Sequence, residues 1–123
     1  MILVDTSVWI DHLRHGDPSL VTVLESGRVL MHPFVVGEVA CGNLNRRAEV
    51  LMLLRELPPA PVASDDEALE FVERRGLMGR GIGYIDVHLL ASVALAGDVR
   101  LWTRDKNLGS AAKEMELAFD EEG

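Results

Sequence analysis

Apolar runs and polar breaks alternate from the first residues of the chain. Ile2–Val4 is uninterrupted apolar sequence, the pattern of a strand buried on both faces, and it runs straight into Asp5. Thr6 or Ser7 can cap the segment that follows, in which Val8, Trp9, Ile10 and Leu13 recur at helical spacing until Gly16. Asp17-Pro18 reads as an N-cap with proline at the first helical position, opening a helix to about Ser26 that Gly27 stops. Residues 28–31 (RVLM) predict a second strand, broken by His32-Pro33. Residues 34–42 are apolar around one acid, Glu38, and predict a helix despite Gly37 and Gly42. Residues 46–57 predict an amphipathic helix, with Val50, Leu53, Leu54 and Leu57 on one stripe, ended by Pro58-Pro59.

The second half continues the alternation. Residues 61–63 predict a brief strand, and Ser64 with Glu67 forms a capping box for a helix to about Arg75. GLMGRGIG, residues 76–83, has four glycines in eight positions and predicts a loop. Tyr84–Ala96 is a long apolar helix closed by Gly97. A strand follows at 99–103 (VRLWT), then a short helix from Asn107 or Ser110 to Met115, and a last strand at 117–119. Strands alternating with helices imply an α/β protein with a mainly parallel sheet. No repeat or linker interrupts residues 1–123, so one domain is expected at this length.

Composition narrows the setting. With 48% hydrophobic and 26% charged residues the chain reads as globular. Its single cysteine, Cys41, precludes an internal disulfide and, among small apolar neighbours, is expected to be a buried inert thiol. There is no basic leader and no 18-residue apolar run, so a cytoplasmic protein is expected. The net charge of −8 argues against simple nucleic-acid binding. Its distribution softens that. Glu114, Glu116, Asp120, Glu121 and Glu122 form an acidic tail expected to be solvated, whereas Arg46-Arg47 and Arg74, Arg75 and Arg80 are local basic clusters.

Ligand sites in open parallel sheets form beyond the carboxyl ends of the strands. Asp5 and Asp105 follow the first and last long strands, Asp86 lies in the first turn of the Tyr84–Ala96 helix, and Glu38 stands alone in apolar sequence. Each has an ordinary explanation: Asp5 as a capping or turn residue, Asp86 as a complement to the helix dipole, Asp105 as a turn aspartate, Glu38 as a solvated helix residue. Four acids from four segments at one sheet edge point further. Clustered carboxylates repel unless cations neutralise them, and oxygen-only ligands suit Mg²⁺ or Mn²⁺. No zinc spacing occurs: His12 and His15 read as helix-surface residues, and His32 and His88 as structural. No phosphate-binding P-loop and no nucleophile elbow is present, and GRGIG lacks the context of a dinucleotide fingerprint.

DTSVWID, the isolated glutamate of FVVGEVACGN, GYIDVHLLASVAL and LWTRDKNL, in that order along nearly the whole chain, resemble the PIN-domain ribonucleases, and most closely the VapC-type toxins of bacterial toxin–antitoxin pairs. The resemblance implies a three-layer α/β/α fold, RNA cleavage dependent on Mg²⁺ or Mn²⁺, a cognate antitoxin and a homodimer. It assigns Asp5, Glu38, Asp86 and Asp105 to the acidic catalytic and metal site, with Thr6, Ser7 and Thr103 as supporting hydroxyls. In such a site one or two divalent ions, about 3.5–4 Å apart when paired, activate water and stabilise the leaving oxygen. Setting the four acids aside, −8 becomes −4, and Arg74, Arg75, Arg80, Arg104 and Lys106 are candidate phosphate contacts beside the plainer reading of solvated charges. Trp9, Ile10, Leu13, Leu51 and Leu54 are candidates for a partner groove. A phosphorelay receiver domain would need an acidic pair after the first strand and a mid-chain acceptor aspartate. A haloacid-dehalogenase-type phosphatase would need D-x-D, but position 7 is Ser. A catalytically silent binding module on the same fold is the remaining alternative.

Overall fold

The computed structural model of the protein describes residues 1–121. Three short parallel strands form its centre: β1 (Ile2–Val4), β2 (Val29–Leu30) and β3 (Arg100–Trp102), in the order β2-β1-β3. Ile2 pairs with Val29 and with Arg100, and Val4 pairs with Trp102, so β1 is hydrogen-bonded on both edges. All three residues of β1 are buried, which is why its sequence carries no alternation. Helices α1 (Thr6–His15) and α2 (Pro18–Glu25) connect β1 to β2. The return to β3 runs through α3 (Pro33–Ala40), α4 (Arg47–Glu56), α5 (Asp65–Arg75) and α6 (Tyr84–Ala96), and α7 (Lys106–Glu114) follows. The two crossovers leave in opposite directions across the sheet, and right-handed connections then lay helices on both faces, as a three-layer α/β/α arrangement requires.

Local signals explain most of these elements. The Asp17 carboxylate accepts from Leu20 N with Pro18 at the first helical position. Ser64 and Glu67 form the reciprocal capping box of α5, and Gly76 ends that helix in the left-handed region. The core joins β1, β2 and β3 to Leu20, Val35, Leu54, Leu89, Leu90, Val93 and Leu108, and α6 is buried over most of its circumference. That burial accounts for a helix almost without a polar face.

Three expectations are corrected. The strand at 61–63 does not form. The chain pairs two residues earlier, at a parallel Met31–Pro59 bridge, with Met31 N donating to Pro58 O at 2.8 Å and Ala60 N to Met31 O at 2.9 Å. Prolines at 58, 59 and 61 cannot donate, so the ladder stops there. At 117–119 a single bridge joins Ala118 to Leu101, extending the sheet beyond β3 without a full strand. Cys41 is exposed, because α3 turns its end away from the core. The described acids of the tail are exposed, as expected, and two of them also make contacts: Glu114 pairs with Arg80 at 2.7 Å, and Glu121 accepts from the Trp102 indole. Glu122 lies outside the described residues.

His32 is structural, as expected, by a specific device. It is the N-cap of α3, with Nδ1 accepting from Phe34 N at 3.0 Å, and it is fully buried. Its ring meets Phe34 edge-on, and that of His88 lies 6.5 Å away. Burial, aided by the neighbouring His88, lowers its pKa to about 4. The unfolded chain takes up this proton at the ordinary value of 6.5, so stability is full above that pH and falls as pH drops from about 6.5 to 4, by up to roughly 3 kcal/mol. Denaturant unfolding of the protein at pH 7.0 and 5.0 should show about 2 kcal/mol of this loss. His32→Asn, which keeps a side-chain cap acceptor, should flatten the slope; an unchanged slope would mean that His32 does not carry it.

Candidate functional site at the carboxyl edge of the sheet

β1 and β3 end side by side, so Asp5 and Thr103 leave the sheet as neighbours; Asp5 N donates to Trp102 O at 2.8 Å. Asp5 stands at the N-cap position of α1, but its carboxylate makes no capping bond. That removes the capping explanation and also corrects the expectation that Thr6 or Ser7 caps α1, since both lie within the helix. The Asp5 Oδ2 accepts from Ser7 Oγ at 2.8 Å and from Thr103 Oγ1 at 2.7 Å. Thr103 Oγ1 also accepts from Asp105 N, and Ser7 Oγ from Arg104 N, both at 3.0 Å. Two backbone amides of the 103–105 turn are thus relayed through hydroxyls onto one buried carboxylate, only 5% exposed. Such bonds fix its rotamer.

The other acids come from three further segments. Glu38, half-buried on α3, accepts from Thr6 Oγ1 at 2.7 Å. Asp86 in the first turn of α6 accepts from Gly83 N at 3.2 Å. Asp105, read from sequence as a turn aspartate, is the N-cap of α7 and accepts from Leu108 N at 2.9 Å, with one oxygen engaged. Electrostatics ties the four together. Partial burial raises the Asp86 pKa. The Gly83 bond opposes this, and the charges of Asp5, Asp105 and Glu38 add to it. The other three acids thus lie close enough to act on Asp86, and the three supporting hydroxyls expected from the sequence each bond an acid.

The donor set is all oxygen and strongly negative, chemistry that fits a hard divalent cation. Among the described residues, no three His, Cys, Asp or Glu side chains are arranged to close on an ion as they stand, so ligation by this set needs side-chain adjustment.

Beside the acids, Arg104 corrects an expectation. It donates to Asp11 Oδ2 at 2.9 Å and to Asp17 Oδ2 at 2.5 Å, pairs with Glu121 at 3.5 Å, and stacks 5.5 Å from the Trp102 ring centroid. Burial alone would push Asp17 up, but the bonds from Arg104 and Leu20 N outweigh it and hold that carboxyl below its usual value. Arg104 is thus a strut joining α1, α2 and the chain end to β3. Arg80 and Arg74 are likewise engaged, with Glu114 and Glu70. His12, expected on the helix surface, accepts from Asp17 N through Nδ1 at 3.0 Å and stitches α1 to α2. Asn107, which sequence reasoning passed over, donates to Gly81 O at 3.2 Å and ties α7 to the glycine-rich loop before Asp86. Gly81 has φ +76°, and a Cβ there would lie 2.6 Å from Asn107 Nδ2. Among the described residues no helix is long and apolar enough to cross a membrane.

Comparison with known proteins gives a consistent result. Residues 2–114 match the PIN domain. Over 122 residues the chain is 52% identical to Ribonuclease VapC32 of Mycobacterium tuberculosis, in two strains, spanning 99% of this chain and 98% of that protein. A chain in the crystal structure of FitAcB from Neisseria gonorrhoeae superposes with a TM-score of 0.66 at 23% identity, over 98% of both chains, a likeness of fold.

Because Asp5, Asp105 and Glu38 push the Asp86 carboxyl upward, Asp86→Asn should relieve repulsion in metal-free protein at pH 7. The expected readout is a melting temperature in EDTA unchanged or raised by roughly 1–4 °C. A clear fall would mean that the Asp86 charge stabilises the fold and is not part of a repulsive cluster.

Proposed function

The chain belongs to the PIN-domain family, and on that premise we propose that it is a metal-dependent endoribonuclease acting as the toxin of a toxin–antitoxin pair. The observation that carries this reading is the convergence of Asp5, Glu38, Asp86 and Asp105, from four segments, on one potential at the sheet's carboxyl edge. The identity with a protein named a ribonuclease, across nearly the full length of both, supports it. The acids are proposed as the metal site, Asp5 and Asp86 as direct ligands and Glu38 and Asp105 as ligands or as groups that orient water. A bound Mg²⁺ or Mn²⁺ supplies Lewis acidity and lowers the pKa of bound water. The chain's own contribution is positional. Ser7 and Thr103 hold the Asp5 carboxylate by one oxygen, Thr6 does the same for Glu38, and Gly83 N does so for Asp86, leaving each acid's other oxygen for ligation. A receiver-like switch is disfavoured, because Asp5 is followed by Thr6 and not by a second acid.

A cytoplasmic ribonuclease must be restrained, so a small antitoxin is part of this reading. Trp9, Leu13, Leu24, Val50, Leu53 and Leu57 line an apolar groove of about 400 Å³ between α1, α2 and α4. Leu53, expected on the core stripe of α4, is 53% exposed there, and Leu54 alone of α4 is buried. We read the groove as the seat of an amphipathic antitoxin segment whose Arg or Lys reaches Asp5 and Asp86. Pairing with a second copy is also part of the proposal.

Purified protein should cut RNA with Mg²⁺ or Mn²⁺ and lose all cleavage in EDTA, with recovery on re-addition. Activity retained by demonstrably metal-free protein would contradict the mechanism. Losing a partner one bond removed from a metal costs about 10–100-fold, so Thr103→Val should fall in that range, and Asp5→Asn should lose more than about 100-fold while remaining folded. A folded Asp5→Asn with full activity would remove Asp5 from the site. For the antitoxin, the chain is co-expressed with the product of its adjacent reading frame, and that partner's basic residues are changed to Ala one at a time. One of them should relieve inhibition without dissolving the complex; if none does, the antitoxin acts by covering the RNA path instead.

A further inference from the structure

The chain contains only two lysines, Lys106 and Lys113, and both lie on α7. Seven residues apart, they are two turns and about 10 Å from each other along one helix face, with Gly109 and Ser110 on that face between them. Together with Thr103, Arg104 and Asp105 they line one open hollow of about 380 Å³. Asp105 is therefore shared between the hollow and the acidic site, and the lysine stripe leads directly away from the proposed point of cleavage. Gly109 leaves the middle of the floor without a side chain, so a ligand can lie close to the helix.

What distinguishes these lysines is that they are unengaged cations in the hollow that contains Asp105. Arg104, which lines the same hollow, is held by Asp11, Asp17 and Glu121, and Arg80 on the facing loop is held by Glu114; Arg14, Arg28 and Arg55 have no such partner but line no part of this hollow. Among the described residues neither lysine side chain forms a hydrogen bond or ion pair. In a chain of net charge −8 the overall field repels a polyanion, so holding one beside an acidic centre needs local, uncompensated cations at close range. This hollow provides two, a hydroxyl, and direct continuity with the site.

We propose that the hollow binds the phosphodiester backbone of single-stranded RNA on one side of the scissile bond, with Lys106 and Lys113 each contacting a phosphate and the Ser110 hydroxyl donating to a phosphate oxygen. This rests on the nuclease reading of the acidic site and adds to it where the strand leaves. The contacts are to phosphate, so they position the strand without reading its sequence.

The test is binding of a fluorescently labelled single-stranded RNA to the full chain in EDTA, followed by anisotropy across a salt series. Each phosphate contact contributes about 0.7 to the slope of log affinity against log salt for single strands. Lys106→Gln and Lys113→Gln should each lower the wild-type slope by about 0.7, and the double variant by about 1.4. Lys→Arg at both positions should restore it, with melting temperatures unchanged throughout. With Mg²⁺ present, the double variant should raise KM and leave kcat close to wild type, the signature of uniform binding. A double variant with the wild-type slope, or a wild type without measurable RNA affinity, overturns the proposal. The two readings separate cleanly. Cleavage with a lysine-independent slope keeps the nuclease and removes the subsite, and a lysine-dependent slope without any cleavage does the reverse.

Discussion

A buried carboxylate at the end of the central strand is the constraint around which the rest is arranged. A carboxylate only 5% exposed, as Asp5 is, is costly to bury without donors. The donors are Ser7, in the first turn of α1, and Thr103, directly after β3 and almost a hundred residues later. That pair of bonds requires β1 and β3 to be adjacent and in register, which the Val4–Trp102 pairing secures. It also sets the 103–105 turn, whose amides donate to the same two hydroxyls. The strand order, the turn and the start of α7 thus serve one side chain, and Asp105 arrives beside it as the α7 cap.

Charge is sorted on the two flanks of that turn. On one flank four acids accumulate without a basic partner among the described residues, and the repulsion is visible in Asp86, whose carboxyl burial and its three neighbours push upward. On the other flank Arg104 gathers Asp11, Asp17 and Glu121 against Trp102. Burial works against the Arg104 charge, but its acidic partners outweigh this and raise its pKa further, so it stays a fixed cation. Neighbouring residues in sequence, Arg104 and Asp105, therefore do opposite work: one closes the fold and the other opens toward the site.

Features encoded within a few residues were readable from sequence, and those encoded by distant contacts were not. Asp17-Pro18, the Ser64–Glu67 box and the α6 helix are local, and each forms where its pattern implies. The four acids were identifiable because they follow strand ends or interrupt apolar sequence, and the resemblance supplied their grouping. The failures are tertiary. Cys41 looks buried by its neighbours, but it caps a helix end that projects outward. Arg104 looks like a phosphate contact until Asp11, Asp17 and Glu121 are brought to it from three other segments. Leu53 fits the apolar stripe of α4 but is exposed at the groove; Leu54 alone of that helix is buried, with Val50 and Leu51 only partly buried against the core. Lys113 carried no signal at all: its meaning depends on the helix face it shares with Lys106.

The central claim is that the four acids form one cation site. It is tested most directly by titrating the protein with Mn²⁺ and following free metal by electron paramagnetic resonance, wild type against Asp86→Asn. The account expects saturable binding of one or two ions to the wild type, displaced by Mg²⁺, and binding weakened by more than about tenfold in the folded variant. Equal binding by both proteins, or no saturable binding by the wild type, would contradict it.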